Sequence, residues 1–267
     1  MNYFMVQKIS LAFANRVRLF YSKTTSVVSF VFEILYELKN FFLQRKITRL
    51  ILIRQILFTG FEALGLISFV AVAVGGIIIL EGSAILPGFG QSKLLYTILV
   101  TVILRELGGL LTAFIIIARS GTAIAAELGN MVVNQEVESL VSFGISPVLY
   151  LVVPRVLGVV LSMMALTIYF NVAALAGGWF MAYLFAPIPI LDFLTKLFSE
   201  ISVIDVISSF IKSLFFGFVV AVVSSYQGLQ VNFASTEVPQ RTIKGVVLSL
   251  SWVILFDILL TAIIYLV

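Results

Sequence analysis

Polar residues are frequent up to residue 54 and then thin out, leaving five apolar blocks. These lie approximately at Ile56–Leu80, Leu94–Ile117, Val156–Ala186, Val203–Leu229 and Gly245–Val267. A helix crosses the hydrocarbon core with roughly 20 apolar residues, so each block predicts one span. Barrel strands would instead be about 10-residue segments of alternating polarity. The third block has 31 residues and no charge, too few for two spans and a turn. It reads as one long tilted helix, with Asn171 and Gly177-Gly178 marking a bend. Pro187 and Pro189 end it, and Asp192, Lys196 and Glu200 mark an aqueous loop. Pro87-Gly88 and Gly90 mark a turn between the first two spans.

Shorter periods appear between these blocks. From Val27 to Leu43, the residues Glu33, Glu37, Asn40 and Gln44 recur every three or four positions against Phe, Val, Ile and Leu. That stripe predicts an amphipathic helix lying in the membrane interface. Arg45, Lys46, Arg49 and Arg54 follow it directly. After Arg119, the small residues Gly121, Ala125 and Gly129 repeat every four positions, a flat stripe that lets another backbone approach closely. Asn134–Phe143 carries two glutamates and predicts a short helix outside the membrane, with Val137, Leu140 and Val141 on one face. Together these elements predict an all-α integral membrane protein, with an interfacial segment over 1–54 and a membrane domain over 55–267.

Composition agrees and narrows the chemistry. The 267 residues are 61% hydrophobic and 11% charged, with a mean hydropathy of +1.16, whereas soluble domains carry about 25% charge. There is no cysteine and no histidine. Zinc sites built on those residues, thiol chemistry and imidazole catalysis are therefore excluded. Neither GxxxxGK[ST] nor GxSxG occurs, so the chain predicts no nucleotide binding of its own in that mode and no serine triad. We expect no catalytic residue, no metal and no nucleic-acid partner. No cleavable signal peptide is expected in residues 1–20.

The charges that remain are placed unevenly. Residues 1–54 hold nine Lys/Arg; with Arg119, Arg155, Arg241 and Lys244 the N-terminal side collects thirteen. The opposite side has only Lys93 and Lys196. The excess of Lys/Arg predicts a cytoplasmic N-terminus and, with five spans, a C-terminus on the other side. Arg105 and Glu106 fall near the middle of the second span, where a charge costs at least about 2.5–3.5 kcal/mol and normally faces a partner or cavity. Asp257 lies at matching depth for Arg105, and Lys212 is placed to approach Glu106. We therefore expect a neutral buried quartet of Arg105, Glu106, Lys212 and Asp257, able to meet a zwitterionic or anionic headgroup.

RELGGLLTAFIIIARSGTAIAAELGNM (Arg105–Met131) and GISPVLYLVVPRVLG (Gly144–Gly158) strongly resemble the MlaE/YrbE family of ABC-transporter permeases. The likeness continues through Ile211–Leu229 and Asp257–Val267, and covers roughly residues 45–267. This resemblance implies a homodimer of five-span subunits in a bacterial inner membrane, an organelle envelope being the alternative. It implies a cytoplasmic ATPase that binds the ATP, so that this chain needs no cofactor of its own. An MCE-domain protein ring, a small STAS-type accessory subunit and a phospholipid substrate in a dimer-interface cavity are implied with it. Arg105, Glu106, Lys212 and Asp257 would line that cavity. Asn134, Gln135, Glu136, Val137, Glu138 and Leu140 would form the coupling helix seated on the ATPase. The alternatives from other classes are an ion-coupled carrier, which should show an inverted repeat that is not evident here, and a passive lipid scramblase.

Overall fold

The computed structural model describes residues 25–41, 47–85, 93–185, 189–232 and 234–266, and every regular element among them is helical. Gln44–Lys46, the Pro87–Gly90 turn and Pro187 fall outside the described residues. Five helical stretches are long and apolar enough to cross a membrane: Leu50–Gly82, Lys93–Val133, Val148–Leu184, Val203–Leu229 and Glu237–Tyr265. The chain is an all-α multi-pass membrane protein.

Helix α1 covers residues 25–41. Ile34 and Phe41 are buried against the bundle, while Phe32 and Tyr36 stay exposed. Its polar stripe is internally bonded, Asn40 donating to Glu37 at 3.0 Å. The first span is not one straight rod. Helix α2 (Ile47–Thr59) meets α3 (Leu64–Ile85) through a tight turn at Phe61–Ala63. The break exposes the Phe58 carbonyl, which accepts from Arg119 Nη1 at 3.1 Å. Glu62, in the turn, pairs with the same guanidinium, which also lies over the Phe58 ring. One side chain thus closes the polar groups that a broken helix would leave open.

The second span runs through α4 (Lys93–Leu99), a π-helical stretch at Val100–Leu107, α5 (Gly108–Ile116), a second π stretch at Ile117–Gly121, and α6 (Thr122–Val133). A hairpin then carries α7 (Glu136–Ser142). Its two ends are set by left-handed residues, Gln135 at φ 58° and Gly144 at φ 72°. After a π stretch at Val148–Val152, α8 (Val153–Phe185) crosses as one helix, without a break at Asn171 or Gly177. Helices α10 (Val203–Leu229) and α11 (Glu237–Leu266) complete the bundle.

The second helical stretch runs on past Ile117 to Val133 and the third starts at Val148 rather than Val156; two further boundaries also differ from expectation. The segment expected as a loop at Asp192–Glu200 is a helix, α9 (Ile190–Glu200). Its three charges are four residues apart, which is a helical stripe rather than a loop signal; Phe193 and Leu197 are buried beneath it. The last span begins at Glu237, not Gly245, because Val238 and Val231 bury against Val132 and hold the first turns.

Glycine sets the tightest helix contact. A Cβ on Gly75 would stand 1.8 Å from the Ala174 carbonyl oxygen, and one on Gly177 would stand 2.6 Å from Val72 Cα. Helices α3 and α8 therefore touch backbone to backbone. Gly75→Leu is expected to destabilise by about 1–3 kcal/mol or more through overpacking. Gly65, with nothing within 4 Å of a built Cβ, should tolerate or gain from alanine, by up to about 1 kcal/mol. Thermal unfolding in detergent compares the two. The Gly121–Ala125–Gly129 stripe faces the far end of α10: a Cβ on Gly228 would lie 2.8 Å from the Ala125 carbonyl, and one on Gly121 3.0 Å from Ser224.

Helix α8 is the centre of the bundle and belongs to the most buried of the five spans, whereas α11 is the least buried. The outer face of α11 shows Val247, Leu255, Ile258, Leu259 and Ile263 uncovered.

Candidate functional site

The π-helical stretch at Val100–Leu107 carries Arg105 and Glu106. A π turn adds a residue to the helical repeat and turns the following side chains to new faces, which is why such turns recur at functional sites. Helix α10 brings Lys212 to it. This lysine is 1% exposed. Its ammonium donates to Glu106 Oε2 at 3.1 Å and to the Arg105 carbonyl at 2.7 Å. It is also ion-paired with Asp257 of α11 at 2.9 Å. Thr261, one turn after Asp257, donates to the Glu106 carboxylate at 3.3 Å.

Arg105 finds a different partner from the one expected. Its Nε pairs with Asp205 Oδ1 at 2.7 Å, and Nη2 donates to Oδ2 at 3.4 Å; Asp257 belongs to Lys212. Asp205 is fully buried and already held by the start of α10, where it accepts from the Ser202 backbone N–H at 3.0 Å in a capping box. Tyr265 closes this group. Its hydroxyl donates to Asp205 at 3.1 Å, sits 2.9 Å from Ser208, and its ring lies 4.9 Å from the Arg105 guanidinium carbon. The cluster thus has five ionisable groups, two cationic and three anionic, so the neutral quartet becomes a quintet with formal charge −1.

Asp205 was missed because it stands at the third position of its helix, where it reads as a cap. The spacing held the signal: Asp205, Ser208 and Lys212 share one face of α10, and Asp257, Thr261 and Tyr265 are four apart on α11. A cavity of about 460 Å³ opens beside the cluster, lined by Glu106, Asp257, Ile258, Thr261, Ala262 and Tyr265. Arg105 and Glu106 keep about a third of their side chains exposed, 31% and 34%. Glu106 thus keeps part of its side chain open beside a cavity at the edge of the uncovered face of α11.

At the opposite pole from α9, helix α7 buries no residue fully. Val137 and Leu140 rest on the bundle, whereas Val141, expected on their face, is 59% exposed and Phe143 is 79% exposed. The seven-residue helix stands at the edge of the bundle, so only one flank of it finds neighbours. Asn134, Gln135, Glu136 and Glu138 are exposed. Arg155 anchors the base of the hairpin, pairing with Glu127 at 2.9 Å and donating to the Leu151 carbonyl at 2.6 Å.

Comparison with known proteins supplies the family. A probable ABC transporter permease of Rickettsia prowazekii (strain Madrid E) is 30% identical over 211 residues, covering 79% of this chain and 82% of its own length. A probable ABC transporter permease of Synechocystis sp. (strain ATCC 27184 / PCC 6803 / Kazusa) is 30% identical over 208 residues, 78% and 79% of the two chains. The protein of Haemophilus influenzae (strain ATCC 51907 / DSM 11121 / KW20 / Rd) called intermembrane phospholipid transport system permease protein MlaE is 27% identical over 216 residues, 80% and 83%. The family model described as permease MlaE matches residues 52–263, nearly the whole of the five spans and the hairpin between the second and third, and the chain belongs to that family.

Proposed function

We propose that this chain is the non-catalytic membrane subunit of an ATP-driven phospholipid transporter, and that the ion cluster meets the polar end of the lipid. The observation that carries the reading is the partly exposed Glu106 of a buried ion cluster, beside a cavity on the uncovered face of α11. Charge at this depth is expensive unless it is paired or used. Here Lys212 and Asp205 hold the cluster together, while Glu106 and Arg105 keep exposed surface for a headgroup amine and phosphate.

A second copy packed on α11 would cover its apolar face and close the cavity between two protomers. That homodimer would sit in a bacterial inner membrane with α7 in the cytoplasm, as the thirteen Lys/Arg on that side favour. Residues 134–140 would seat in a groove of the ATPase, which binds and hydrolyses the ATP. Closure of the ATPase would push on α7, and the tight packing of Gly121 and Ala125 on α10 and of Gly129 on Val231 and Val238 would pass that push on as a rigid tilt. Lipid would exchange with an MCE-domain protein ring on the other side, with a small STAS-type subunit as accessory. The relatives' names, ABC transporter permease and phospholipid transport permease, support this reading.

Purification of the tagged chain in mild detergent tests it. An ATPase subunit and phospholipid are expected in stoichiometric amounts. Transport activity in a preparation lacking any ATPase would favour a passive scramblase or an ion-coupled carrier instead.

A further inference from the structure

A second, larger cavity of about 560 Å³ lies on another face of α10, between α8, α9 and α10. Its lining on α8 follows one helical stripe from Met164 through Asn171 to Trp179. The 15 steps from Met164 to Trp179 span about 22 Å at 1.5 Å per residue. That length and the apolar side chains along it, Ile168, Val172, Val206 and Phe210 among them, suit an extended polymethylene chain. The groove's length exceeds the roughly 15 Å depth of one leaflet's hydrocarbon, so an occupant lies extended along α8.

The roof is built. Helix α9 lays Phe193 and Leu197 over the groove, with the exposed Phe198 at its rim and Leu191 uncovered on the outside. It is fastened to α4 by Glu200, which accepts from Thr97 at 2.8 Å and pairs with Lys93 at 3.5 Å. The Phe193 and Tyr96 rings meet at 5.6 Å. At the α9 end of the stripe, the Trp179 indole N–H is buried and has no acceptor among the described residues. An indole can only donate, and its usual place in membrane proteins is the level of the headgroups.

We propose that this groove is an intraprotomer lipid site, distinct from the cavity beside Glu106. It takes one acyl chain of a glycerophospholipid, whose headgroup end lies at the level of Trp179. The chain enters sideways from the bilayer under α9, and no contribution from a second copy or an ATPase is needed.

The full chain, with the subunits that purify with it, is reconstituted in phosphatidylethanolamine–phosphatidylglycerol vesicles. These are doped with a phosphatidylcholine that carries a diazirine on one acyl chain. After irradiation without ATP, labelled peptides are mapped by mass spectrometry. Label is expected on 164–179 and 206–213. It should be lost in Ala176→Trp and in Val172→Trp, both exposed positions of the groove wall, while label on 257–265 persists. Unlabelled 164–179, or label undiminished in both groove-filling variants, would overturn the proposal. So would crosslinking of Val172→Cys to a second polypeptide. The 257–265 peptide reports separately on the transport cavity, so failure of one site is distinguishable from failure of the other.

Discussion

Lys212→Met is expected to destabilise the protein by about 3–5 kcal/mol, the loss typical when one member of a buried ion group is removed. The lysine is 1% exposed and stands between Glu106 and Asp257 at 3.1 and 2.9 Å. Methionine keeps the length of the stem, so the loss is not one of packing. It leaves two carboxylates facing each other and the Arg105 carbonyl without its donor. Adding Glu106→Gln and Asp257→Asn to Lys212→Met should return much of the stability, because replacing a whole buried ion group is often close to neutral. Thermal unfolding of the three proteins in one detergent reads the effect. Recovery in the triple variant would attribute the loss to uncompensated charge, and no recovery would place it in the helix contacts themselves.

The second large effect is functional. Glu136→Lys with Glu138→Lys should abolish lipid-linked ATP hydrolysis while leaving the unfolding midpoint within the range of ordinary surface changes, about ±0.5 kcal/mol. Both side chains are exposed on α7 and neither belongs to an ion pair among the described residues, so the bundle does not depend on them. Beside them, Phe143 and Val141 present apolar surface, 79% and 59% exposed, at the tip of a hairpin whose ends are fixed by left-handed residues. A rim of carboxylates around an apolar knob gives a partner both area and sign. The comparison is ATPase stimulation by phospholipid in the assembled complex, wild type against the double variant.

The five spans were legible because long apolar runs have few other uses, and the fourth, Val203–Leu229, matched residue for residue. Chemistry at matched depth was legible in part. Lys212 meets both Glu106 and Asp257, yet the pairing of Arg105 was not readable, for two reasons. Its π turn displaces side chains by an amount that straight-helix counting cannot supply. Asp205 does two tasks at once, cap and counter-ion, and the first conceals the second. Helix α9 was hidden differently: three charges in eleven residues suggested water, although their spacing of four marks one polar edge of a helix with Phe193 and Leu197 on the face beside it. The groove beneath it is hidden in the sequence for the same reason, since its roof carries the charges of a loop.

Phospholipid transfer between vesicle populations, driven by ATP and followed with a fluorescent lipid, tests the central claim most directly. The comparison is the wild-type complex against Glu106→Gln, a side chain one-third exposed, each inserted to the same level. The account predicts that the variant assembles and binds its ATPase but loses at least about tenfold in transfer rate, equivalent to about 1.4 kcal/mol of headgroup contact. Transfer at the wild-type rate would mean that the cluster only holds helices together, and the assignment of the headgroup site would be wrong.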